Sequence, residues 1–193
     1  MISLLPPFRR ATPADAAVLA ELVNHAGEGL PLYLWDKIKE PGETAWDVGR
    51  RRAARDEGSF SYRNAVIVER DGQAAGSLIG YGIAADPAPL PDDLPAMFRP
   101  LLELENLAPD TWYVNVLAVL PAFRGLGLGS QLLALAETIG RAEGKAGMSI
   151  IVSAANDGAR RLYERQGYRF VAERPMVKEG WQNPGENWVL LVK

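Results

Sequence analysis

"AVLPAFRGLGLGSQLL", Ala118 to Leu133, is a β-rich run that stops at Pro121, passes glycines at Gly125, Gly127 and Gly129, and continues directly into a leucine-rich helical pattern. A strand feeding straight into a helix leaves the first N–H groups of that helix without intrahelical partners, and the helix dipole adds partial positive charge at the same place. Glycines there let successive N–H groups turn inward and let a bulky anion approach the backbone with no Cβ in the way. The stretch predicts a phosphate-binding turn. A P-loop needs lysine and then serine or threonine after its last glycine, whereas Gly129 is followed by Ser130 and Gln131. A dinucleotide-binding turn needs a third glycine where this chain has Ser130 or Leu132, and an acidic residue after the next strand, which "GMSIIVSAAN" does not supply.

Working outward, "TWYVNVLAV" before the turn reads as its strand and "LGSQLLALAETIGRAEGK" as its helix. Downstream, "GMSIIVS" (strand), "NDGARRLYERQG" (helix), "YRFVAER" and "NWVLLVK" (strands) follow. Upstream, Thr12 with Asp15 and Thr44 with Asp47 give capping patterns for two helices, the first carrying an apolar stripe of Val18, Leu19, Leu22, Val23 and Ala26. "GEGLPLYLWDKIKEPGE" separates these two as a glycine- and proline-bounded connection. Asp71-Gly72 predicts a tight turn between two antiparallel strands within "NAVIVERDGQAAGSLIGYGIA". The proline-rich segment at about 85–110 reads as a lid-like insertion with a short helix in "AMFRPLLELENLA". The order is mixed α/β, and residues 1–193 read as a single domain carrying that insertion.

The chain of 193 residues, 48% of them hydrophobic, is long enough for one well-packed core. Its formal charge of −3 gives no basic footprint for nucleic acid. It has no cysteine and one histidine, His25, which rules out disulfides, thiolate metal sites, multi-histidine metal sites and a cysteine nucleophile. No metal is expected. The start "MISLLPPFRR" has no leader pattern, and no window reaches the roughly 18 apolar residues of a membrane span. The expectation is a cytoplasmic protein that binds neither membrane nor nucleic acid, with a homodimer left open.

Arg124-x-x-Gly127-x-Gly129 matches the Arg/Gln-x-x-Gly-x-Gly/Ala signature of the GNAT superfamily of N-acetyltransferases, and "NDGARRLYERQGYRF" resembles that family's Asn-x-x-Ala-x-x-Leu-Tyr-x-x-x-Gly-Tyr/Phe segment. The resemblance is specific over residues 112–174 and consistent in element order over residues 8–84. It implies a GNAT-like α/β fold with a mixed, mostly antiparallel sheet flanked by helices, and acetyl-CoA as co-substrate. It further implies that backbone N–H groups of Leu126, Gly127, Leu128, Gly129 and Ser130 hold the coenzyme A pyrophosphate, with Arg124 shaping the loop and adding charge. Backbone groups of Leu117 and Val119 would pair with the pantetheine amides, as an added strand does. Asn156 would meet the pantetheine chain. Tyr163, two helical turns further on the same face, would protonate the departing thiolate. Helix capping by Asn156 is compatible with its role, and core packing is the plain alternative for Tyr163.

One departure from the family is visible. Where many members carry a glutamate on the fourth strand, alternation from Leu117 puts Asn115 and Tyr113 on that face, and neither is a good base. Glu28, Glu103, Glu105 and a water relay past Asn115 or Tyr113 remain as candidates. His25, at the edge of an apolar stripe, reads as a packed or capping residue, and "RRRAAR" at Arg50–Arg55 as a solvated helix face. The expected function is transfer of an acetyl group to a primary amine of a small molecule or peptide. A catalytically silent acyl-CoA sensor or partner-binding module on the same fold is the alternative.

Overall fold

In the computed structural model, which describes residues 2–193, seven strands form one sheet in the order β1-β2-β3-β4-β5-β7-β6. The strands are β1 (Phe8–Arg10), β2 (Ala65–Arg70), β3 (Gln73–Gly82), β4 (Thr111–Val119), β5 (Gly147–Ser153), β6 (Arg169–Pro175) and β7 (Asn187–Val192). The helices are α1 (Ala16–Ala26), α2 (Leu30–Lys37), α3 (Ala45–Ala53), α4 (Arg99–Glu105), α5 (Leu128–Ala142) and α6 (Asp157–Arg165). β1 with β2, β2 with β3, β5 with β7 and β6 with β7 are antiparallel, and β4 with β5 is parallel. Mixed α/β architecture with a mostly antiparallel sheet is the expected class.

The chain falls into two compact units. The first comprises the chain up to Gly80 with Val116–Leu133, and the second comprises Tyr81–Asn115 with Ala134–Lys193.

In the first unit, Leu19 and Val23 of α1, Trp35 of α2, Val48 of α3, Ile67 of β2 and Ile79 of β3 belong to one buried cluster. Trp35 stacks on Phe60 with ring centroids 5.8 Å apart and meets Trp46 edge-on at 6.3 Å. α2 is the one helix that the sequence pattern did not give. Gly29, in the left-handed region, and Pro31 look like breakers, yet a proline in the first turn gives up only an N–H that has no intrahelical partner there. The capping boxes at Thr12 and Thr44 are both present, the first opening a 3-10 turn (Pro13–Asp15) that leads into α1. Asp71 and Gly72 both take positive φ, as the tight turn between β2 and β3 requires. In the arginine run Arg50 and Arg51 are exposed, paired to Asp47 at 2.7 Å and to Glu43, whereas Arg52 and Arg55 are partly buried, so only part of the run is the solvated face expected.

Arg9 of β1 locks the entry to α1. Its guanidinium holds both Asp15 oxygens at 2.8 Å and donates to Glu69 Oε1 at 2.7 Å, while Thr12 N–H donates to Asp15 at 2.8 Å. The Arg9 hydrogen bond, helped by Thr12, holds the Asp15 carboxyl below its ordinary range against the opposing effect of burial. A folded-state pKa below the unfolded one gives stability that is present above the unfolded value near 4 and is lost as pH falls through the folded value. Asp15→Asn is therefore expected to lower unfolding stability by about 2 kcal/mol at pH 7, the scale of hydrogen bonds to charged groups, and by much less near pH 2. Denaturant unfolding at the two pH values checks this; an equal loss at both would remove the charge from the explanation.

In the second unit, α4 packs against β5, β6 and β7. Arg174 Nε of β6 donates to Glu103 Oε2 of α4 at 3.0 Å, and Tyr81 Oη of β3 donates to Glu105 Oε2 at 3.2 Å. The proline-rich 85–110 segment thus contains a short helix, as expected, fastened by two side-chain contacts. Trp181, in the connection between β6 and β7, stacks on Trp188 at 5.9 Å. Among the described residues no helix is long and apolar enough to cross a membrane.

Candidate active site

The glycine-rich turn lies in the first unit. β4 ends at Val119, Leu120 N–H donates to Ala75 O at 2.9 Å, and one 3-10 turn (Pro121–Phe123) leads into the loop. Arg124 is exposed and its Nε donates to the Val119 carbonyl at 3.3 Å, closing the loop back onto the strand end.

Gly125 and Gly127 adopt φ of 78° and 76°, whereas Gly129 is not among the positive-φ residues and lies in the first turn of α5. A Cβ at Gly125 would meet nothing within 4 Å, and one at Gly127 only Gln131 Nε2 at 4.0 Å. The space before the loop is open. Leu128, 5% exposed, anchors the start of the helix, while Leu126 is 50% exposed. The α-helical ladder begins with Gln131 N–H donating to Gly127 O at 3.2 Å, so the N–H groups of Leu128, Gly129 and Ser130 precede it. Two left-handed glycines, open space at their Cβ positions and the N-terminus of a 15-residue helix make a backbone that an anion can approach.

On β4, Asn115, Leu117 and Val119 are partly exposed and alternate with buried Val116 and Ala118. The parallel ladder with β5 runs from Thr111 opposite Gly147 to Val114 opposite Ile150 and ends there.

Asn156 and Tyr163 lie in the second unit. Asn156 is the N-cap of α6, its Oδ1 accepting from Ala159 N–H at 3.1 Å, so the capping role is present. Tyr163 is 5% exposed, with its ring 6.1 Å from that of Tyr168.

The same unit contains a cluster that the sequence gave only in part. Tyr81 and Tyr113 meet edge-to-face with centroids 5.5 Å apart, and Tyr81 donates to Glu105. Through Tyr81, the Glu105 carboxylate and the Tyr113 ring therefore belong to one cluster. Burial pushes the Glu105 carboxyl up to about 7, against the pull of the Tyr81 hydrogen bond. Burial, and next the Glu105 charge, push both the Tyr81 and Tyr113 hydroxyls far above their ordinary value, so both keep their protons.

The other candidates for a base fare differently. Glu103 is paired with Arg174, Glu28 lies in the first unit between α1 and α2 with φ of 52°, and His25 Nε2 is 3.7 Å from Glu21 Oε1. In the sequence Glu105 is one acidic residue among several. Tyr81, 24 positions away, carried no signal at all.

The family model for the GNAT acetyltransferases matches residues 31–168. Among solved structures, the chain is similar to an acetyltransferase at a TM-score of 0.66 and 23% identity, covering 99% of this chain and 98% of that one. It is also similar to an N-acetyltransferase from Staphylococcus aureus Mu50 (TM-score 0.64, 18% identity, 96% and 99% covered) and to Ard1 from Thermoplasma volcanium (0.58, 15%, 96% and 95%). At these identities the likeness is one of fold. No curated protein matches the chain. With the glycine turn, the sheet order and a family match over most of its length, this chain belongs to the GNAT family of acetyltransferases.

Proposed function

We propose that the protein is an acetyl-CoA-dependent N-acetyltransferase that moves the acetyl group directly to a primary amine of a small molecule or peptide, within a ternary complex and a single catalytic domain. The observation that carries this reading is the turn at Arg124–Ser130, with two left-handed glycines facing open space at the start of α5. The backbone N–H groups from Leu126 to Ser130 hold the pyrophosphate. Backbone groups of Leu117 and Val119 pair with the pantetheine amides, and Asn156 meets the same arm while capping α6. The acetyl thioester is then attacked by the amine, and Tyr163 protonates the departing sulfur. No cysteine exists to carry the acyl group, which favours direct transfer.

The test is release of free thiol from acetyl-CoA by the purified protein across a panel of amines: spermidine, amino-acid amides, an aminoglycoside and a short peptide. Release that requires both protein and one class of amine is expected. Binding of acetyl-CoA with no amine-dependent release would favour the sensor reading instead.

A further inference from the structure

We infer that Glu105, presented by the insertion helix α4, is the catalytic group that takes the proton from the acceptor amine, and that Tyr81 is the positioning residue that holds its carboxylate. The inference rests on the acetyl-transfer reading above and assigns a base to it from outside β4. Three observations carry it. Glu105 is partly buried and holds one fixed partner, Tyr81 Oη at 3.2 Å, on its Oε2. Tyr81, which holds it, meets Tyr113 of β4 edge-to-face at 5.5 Å, so the carboxylate is tied to the strand whose own face offers no carboxylate, in the unit that also contains Tyr163. The competing carboxylate on the same helix, Glu103, is paired with Arg174.

The surrounding charges leave Glu105 to this task. β5 and β7, against which α4 packs, carry no charged side chain. On β6, Arg174 is held by Glu103, and Arg169 and Glu173 are exposed. On α4 itself Arg99 and Glu103 are the other charges, and Tyr81 faces Glu105 from β3 with Tyr113 of β4 against its ring. Desolvation and the Tyr81 hydrogen bond are what set its basicity.

An alkylammonium with pKa near 10.4 gives its proton to an ordinary carboxylate with an unfavourable factor of about 10⁶, and to one raised to about 7 with about 10³. The ammonium loses one proton to Glu105, which passes it to solvent. The neutral nitrogen attacks the thioester carbonyl carbon, the C–N bond forms and the C–S bond breaks. Sulfur takes the Tyr163 proton, and the second nitrogen proton returns to the tyrosinate through solvent.

The test is the pH dependence of kcat/KM for thiol release with acetyl-CoA and the best amine of the panel, in the wild type, Glu105→Gln and Tyr81→Phe. The wild type is expected to lose activity below an apparent pKa near 7. Glu105→Gln should lose about 10²-fold or more at pH 7.5 and lack that limb, with the deficit shrinking above about pH 9.5 as free amine accumulates. Tyr81→Phe removes a bond that stabilises the carboxylate, so its acid limb should move upward in pH, a shift that a merely structural role would not produce. Circular dichroism confirms that each variant is folded, and a carboxyl-labelled ¹³C NMR titration reads Glu105 directly without any acceptor. A folded Glu105→Gln with near wild-type activity at pH 7.5, or a deficit equal at every pH, overturns the assignment and leaves acetyl transfer standing. A wild type that releases no thiol with any panel amine overturns both.

Discussion

Tyr163→Phe is expected to lower turnover about 10²-fold or more, the scale of a lost acid–base group, while acetyl-CoA affinity changes little. The substitution keeps the ring, which is 5% exposed and packed 6.1 Å from Tyr168, and removes only the hydroxyl. A tyrosine of ordinary pKa near 10 is protonated at neutral pH, and a departing thiolate with a pKa near 8.5 is basic enough to benefit from its proton. The loss should therefore shrink when acetyl is supplied on a thiol of much lower pKa, which leaves without protonation. Steady-state kinetics with two acyl donors measure this. Equal losses with both donors, or none with either, would make Tyr163 a packing residue.

Gly127→Val is expected to weaken coenzyme A binding about 10²-fold, the effect of losing one or two charge-assisted hydrogen bonds. At φ of 76° a β-branched side chain is strained whatever space it finds, and the Cβ projects into the open region before the loop. The loop must then either relax or fill that space. Calorimetric titration reads the affinity, and far-UV circular dichroism reads the fold. Acetyl-pantetheine, which lacks the pyrophosphate, serves as a control that should react equally poorly with wild type and variant. Unchanged coenzyme A affinity in a folded variant would move the pyrophosphate away from this turn.

The elements that the sequence showed clearly are those whose signals are local. Thr12 and Thr44 mark helix starts because a cap and its third residue bond each other within one turn, and Asp71-Gly72 marks a hairpin because its φ requirements fall on two adjacent residues. The glycine turn was legible for the same reason. α2 was not, because its stability comes from Trp35 buried against Trp46 and Phe60, contacts that no periodicity within eight residues displays.

The candidate site divides along the same line. Asn156 and Tyr163 lie in one short segment and were found together, whereas Tyr81 and Glu105 meet only because β3 and α4 are brought side by side in the fold. Burial then alters Glu105 chemically, and nothing in "LLELENLA" separates it from Glu103 until Arg174 is seen to pair with one and not the other. The lack of a carboxylate on the fourth strand was legible in the sequence, and the structure has Tyr113 buried and Asn115 partly exposed at those positions.

The most direct measurement of acetyl transfer is a quenched reaction of the protein with labelled acetyl-CoA and the best amine of the panel, following acetylated amine, free coenzyme A and intact protein mass together. Direct transfer predicts acetylated amine and free thiol appearing in equal amounts at the same rate, with the protein mass unchanged at every time. Labelled acetyl-CoA that stays intact with every amine, or an acetylated protein that forms before the product and decays into it, would contradict the account.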